Sequence, residues 1–142
     1  MIETLLTKPY HVIDILPRQV PKDGAGHYPA IEQFFLKEPQ YPILRDRFAR
    51  ILLKLGCYYD LQVCFADEDL LRSDLVPDEF VALITDESKD LCILLAEEET
   101  LFTLYREDTY MTVYNARGEL LDTLKELVHA EGLFLWMPPQ EG

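Results

Sequence analysis

The tightest constraint on how this chain can fold lies in residues 110–136. Tyr110, Met111, Thr112, Val113 and Tyr114 carry aromatic, β-branched or long apolar side chains suited to a pleated, half-buried surface. Asn115 follows, and its side-chain oxygen suits a helix N-cap, where it accepts from a free backbone N–H. From residue 119 to 130 the apolar positions Leu120, Leu121, Leu124, Leu127 and Val128 form one stripe at a period of about 3.6 residues. Glu119, Asp122, Lys125, Glu126 and His129 fall on or near the opposite side. Gly132 can take the left-handed conformation that stops a helix. Leu133, Phe134, Leu135 and Trp136 then read as a short buried strand. A strand–helix–strand unit runs its two strands parallel, adjacent or with another strand between them. The helix needs the sheet to bury its leucines, and the sheet needs the helix as a cover.

Upstream, the chain supplies the rest of a domain. Residues 1–7 fit a helical or an extended lead-in equally well. Residues 10–16 alternate as a strand and are ended by Pro17 and Pro21. Residues 18–27, with Pro21, Gly24 and Gly26, are the longest stretch rich in breakers and predict a surface loop or flap. Helices are expected over 28–36, opened by Pro29, and over 43–55, where Leu44, Phe48, Ile51, Leu52 and Leu55 form the stripe. Arg45, Arg47, Arg50 and Lys54 are assigned to the wet face of the second helix, and Gly56 to its end. Residues 58–65 read as a strand and 67–73 as a helical turn. Strands over 80–85, 91–96, 101–105 and 110–114, joined by three short polar connections, predict a four-stranded meander. The expected class is α+β: a mixed, mostly antiparallel sheet, the meander plus the C-terminal β-α-β unit, packed by N-terminal helices and one C-terminal helix. One domain over 1–142, with a frayed tail at 137–142, matches the length.

Charge narrows the partners. Residues 1–71 carry 8 basic and 10 acidic side chains, residues 72–142 carry 5 and 16, and the formal total is −13. Such a field repels phosphate backbones and anionic lipid, so neither nucleic acid nor a membrane is an expected partner. A basic protein is. No apolar run approaches the roughly 18 residues that span a bilayer, and the opening residues lack the basic and apolar segments of an export signal. The expected location is cytoplasmic. Cys57, Cys64 and Cys92 sit in apolar stretches and read as small core residues rather than a disulfide framework.

The sequence holds no glycine-rich phosphate loop, zinc-protease helix, paired-cysteine motif or serine elbow. No catalytic residue, cofactor or metal site is assigned. Clustered carboxylates at 67–69, 86–87 and 97–99 read as solvated turns, lacking the alternation of a calcium loop. His129 fits a helix C-terminus, and His11 a satisfied, half-buried strand position. Two readings of function remain. In the first, the chain is a non-enzymatic interaction or regulatory module. It acts as a homodimer through a sheet face carrying Tyr105, Tyr110, Tyr114 and Trp136, with Tyr58 and Tyr59 in reach. The condition is that the N-terminal helices leave that face uncovered. In the second, it is a small-molecule binder or enzyme with a pocket at the 18–28 loop, built from Asp14, Arg18, Asp23, His27 and Tyr28.

Overall fold

The computed structural model describes residues 1–21, 26–65, 72 and 76–139. In chain order the elements are α1 (Ile2–Leu5), β1 (Tyr10–Asp14), α2 (Tyr28–Leu36), α3 (Gln40–Leu55), β2 (Gln62–Phe65), α4 (Pro77–Thr85), β3 (Leu91–Leu95), β4 (Thr100–Leu104), β5 (Met111–Tyr114), α5 (Gly118–Ala130) and β6 (Phe134–Trp136). The strands form one sheet in the order β2-β3-β4-β5-β1-β6, and every hydrogen-bonded pair is antiparallel. The fold is α+β, as the segregation of elements predicts.

The C-terminal unit forms as expected. β5 and β6 both run antiparallel to β1, hence parallel to each other, and β1 fills the place between them. Leu120, Leu124 and Val128 of α5 are buried, and Gly132 ends the helix at φ 75. Two local details differ. Asn115 does not cap α5: it sits at φ 66, and its Nδ2 donates to the Glu99 carbonyl at 2.8 Å. The side chain is thus spent fastening the β3–β4 turn to the end of β5, and the helix begins three residues later. β6 is an edge strand with Phe134 exposed rather than a buried one. β1 covers only one of its sides.

The expected four-stranded meander is a three-stranded one, β3-β4-β5, with β2 added against β3. Residues 80–85 belong to α4. Pro77 lies in its first turn, Asp78 and Glu79 face the positive end of the helix dipole, and Phe80 and Ile84, four apart, are the buried pair. The apolar run fits a helix packed on α3 as well as a strand, and Pro77 with the two acids decides for the helix. The expected strand over 58–65 is only β2, because turn-type bonds from Cys57, Tyr58 and Tyr59 to the last residues of α3 carry the chain on to residue 59. The lead-in at residues 1–7 contains the helix α1. The turn expected at 67–73 lies outside the described residues, apart from Arg72, which bridges to Val63.

Helices α3, α4 and α5 pack on one face of the sheet. Phe48, Ile51, Leu52 and Leu55 of α3 are sealed there against Ile93, Phe102, Met111 and Val113. Arg45 is not on the wet face of α3. It is fully buried, its Nε donating to the Ile84 carbonyl at 2.7 Å and its Nη2 to the Asp86 carbonyl at 3.2 Å. On the other face, among the described residues, only α1 provides helical cover, with Leu5 set against Cys92, Leu94 and Leu101. No helix of the described residues lies over the half of that face made by β5, β1 and β6.

Candidate functional site

The uncovered half of the sheet is where the candidate side chains collect. Alternation along β1 sends Tyr10, Val12 and Asp14 to this face, and the register fixes their neighbours. Thr103, Thr112, Val12 and Trp136 stand in one row across β4, β5, β1 and β6, and Tyr114 faces Tyr10 in the next. The rings of Tyr10 and Tyr114 lie 5.5 Å apart, tilted by 48°. Tyr105 and Tyr110 rise at the two ends of the β4–β5 turn, with Asp108 between them. Val20, from the loop after β1, Tyr28, from the first turn of α2, and Pro138, from the tail, complete the walls. Together they enclose a concavity of about 490 Å³, within the range of small-ligand sites.

Both carboxylates in this wall are held in a more protonated range than usual. Asp14 is raised chiefly by burial, even though its Oδ1 accepts from the Ile15 N–H at 2.7 Å and its Oδ2 from Trp136 Nε1 at 3.3 Å. Those bonds use both oxygens and fix the indole. Asp108 is pushed up to about 6, first by burial and then by the negative charges of Asp90, Glu32 and Glu107, against which Arg45 acts. Tyr28 is pushed up to about 12 by burial and by the bond its hydroxyl donates to Glu32 at 2.9 Å. Tyr105, Tyr110 and Tyr114 are raised as well, each mainly by burial.

The two groups of residues expected from sequence thus meet in one place. Tyr105, Tyr110, Tyr114 and Trp136 share this wall with Asp14 and Tyr28. Arg18 and His27 are exposed and take no part in the lining, and Asp23 lies outside the described residues. Tyr58 points to solvent at 71% exposure, and Tyr59 borders a separate hollow beside Leu53 and Phe80, so neither extends the tyrosine face. His11 stands opposite Val113, which belongs to the helix-covered core. Among the described residues its buried Nδ1 has no partner, contrary to the satisfied residue expected, and burial lowers its pKa. Pro138, in the tail, belongs to the wall.

Sequence reasoning missed Tyr10, Val12 and Asp108. The first two were legible: they alternate with Ile13 on the same strand as Asp14. Asp108 was hidden inside a turn whose acidity read as solvation. Among the described residues no group of three or more histidine, cysteine or carboxylate side chains is placed to hold a metal ion, and no helix is long and apolar enough to cross a membrane. The chain matches no protein-family model, no curated protein and no solved structure.

Proposed function

We propose that this chain is a non-enzymatic binding module, cytoplasmic, and that it works by taking a small ligand into the concavity on the uncovered half of its sheet. The observation that carries this reading is the gathering of five tyrosines and the single tryptophan around one hollow on an otherwise helix-packed sheet. Such rings give large contact area at low conformational cost. Asp14 supports a binding rather than a catalytic role, because one of its oxygens accepts from the Ile15 N–H and the other from the Trp136 indole, which it orients.

The test is a fragment screen read by amide chemical shifts. Hits that move residues 10–14, 103–114 and 134–138 together support the site. Hits that cluster instead at the hollow between Leu53 and Phe80, or move nothing, overturn it.

Homodimerisation through the same tyrosines is the second reading, favoured by the exposure of Tyr10, Tyr105 and Phe134 at the rim. A two-fold contact there sets Asp14 and Asp108 against the same carboxylates of the other copy, which charge disfavours. Sedimentation that shows a dimer dissociated by Tyr105→Ser would reverse the order of the two readings.

A further inference from the structure

The wall of the concavity has a sign as well as a shape. Among the described residues, Asp14 and Asp108 are its charged side chains, and no lysine, arginine or histidine lines it. Asp14 is engaged on both oxygens, by the Ile15 N–H and the Trp136 indole. Asp108 is not: among the described residues no hydrogen bond or ion pair engages its carboxylate, and the bond from Tyr41 is taken by its backbone carbonyl at 3.0 Å. The charged groups that bear on it are Glu32 from α2, Asp90 ahead of β3, Glu107 in its own turn, and Arg45 from α3. Three of those four are negative. The cation among them, Arg45, already donates to the carbonyls of Ile84, Asp86 and Tyr105 and to the Tyr41 hydroxyl.

The face is therefore short of one positive charge, and the faces of its tyrosine rings attract the same sign. Val12, Val20 and Pro138 add apolar surface beside the rings.

We infer that the concavity takes a small organic cation, a primary ammonium or guanidinium group on an apolar body, seated between the Asp108 carboxylate and the tyrosine rings. This rests on the binding-site reading above and adds the chemical class of the ligand. The cavity's size favours a small molecule over the side chains of a basic protein, because a hollow of about 490 Å³ holds a complete ligand of that kind. A cation there also lowers the proton affinity of Asp108, so binding weakens as the carboxyl protonates on going from pH 7.5 to pH 5.

The experiment uses three probes with one ring and three charges: 2-phenylethylammonium, 2-phenylethanol and phenylacetate. Trp136, the single tryptophan, gives an emission signal from within the wall, and amide shifts locate each probe. The expected result is that the cation binds several-fold more tightly than the alcohol, with phenylacetate weakest. Asp108→Asn is expected to remove most of that preference, and so is a pH of 5, while binding of the alcohol persists in both cases. Equal binding of all three probes, or a preference for phenylacetate, overturns the cation and leaves the site standing. Silence from all three at millimolar concentration overturns the site itself. A short arginine-containing peptide that binds where phenylethylammonium does not would transfer the face to a protein partner and overturn the small ligand.

Discussion

Arg45 shows how much a single side chain can carry without any trace in the sequence. At helical spacing it follows Tyr41 and precedes Phe48 and Leu52, all buried, yet beside Arg47 and Arg50 it reads as one more cation on a wet face. What holds it inside are mainly backbone carbonyls of Ile84, Asp86 and Tyr105, and carbonyls leave no signature in a sequence. The guanidinium ties α3 to the end of α4 and to the β4–β5 turn. Arg45→Met keeps the bulk but strips these acceptors of their donor, so it should lower the free energy of unfolding by about 3 kcal/mol in urea titration. A loss below about 1 kcal/mol would mean that water reaches those carbonyls. Asp108 makes the opposite prediction. Its folded pKa of about 6 lies above the ordinary aspartate value of 3.8. The folded state therefore holds the proton more tightly, and stability falls as pH rises from about 4 to about 6. Asp108→Asn should raise stability at pH 7.5 by on the order of 1 kcal/mol, after discounting for partial exposure, and change little at pH 4. Chemical unfolding at the two pH values checks both the sign and the window.

At the scale of elements, what the sequence showed was local and what it hid was pairing. The leucine stripe and Gly132 made α5 legible, and the parallel relation of β5 and β6 followed from the crossover. That β1, about a hundred residues upstream of β5, lies between them could not be read, because strand pairing depends on partners distant in sequence. The same limit applied to the site: Tyr105, Tyr110, Tyr114 and Trp136 were visible as a set, but Asp14 and Tyr28 joined them only through β1 and the start of α2. This arrangement makes β6 dependent on β1, its one strand partner. Ile13 is fully buried at the centre of that contact. Ile13→Ala should cost about 3 kcal/mol. In native-state hydrogen exchange, protection at Leu135 and Trp136 should fall with that of β1, while β3 and β4 keep theirs longer. Uniform loss across all six strands would show that the sheet opens as one unit.

For the whole molecule, charge and cover are distributed unequally. Helices α3, α4 and α5 occupy one face of the sheet, and the acidic side chains are concentrated in the second half of the chain. Among the described residues three ion pairs form, Arg50–Asp46 at 2.7 Å, Arg106–Asp90 at 3.4 Å and Lys54–Glu131 at 3.5 Å, each partly or largely exposed. Such pairs contribute little against a net charge of −13. The thermal unfolding midpoint should therefore rise, by a few degrees, as sodium chloride goes from about 20 to about 300 mM. A fall would show that attraction outweighs the net repulsion. The edge at β6 has a further consequence. A sheet with a free edge is a template for another copy's strand, and long, flat edges seed fibrils. This edge is three residues long and is followed, after Met137, by Pro138 and Pro139, which have no N–H to offer. A strand arriving from another molecule meets too short a ladder to hold, so at this end the sheet resists growing into a polymer.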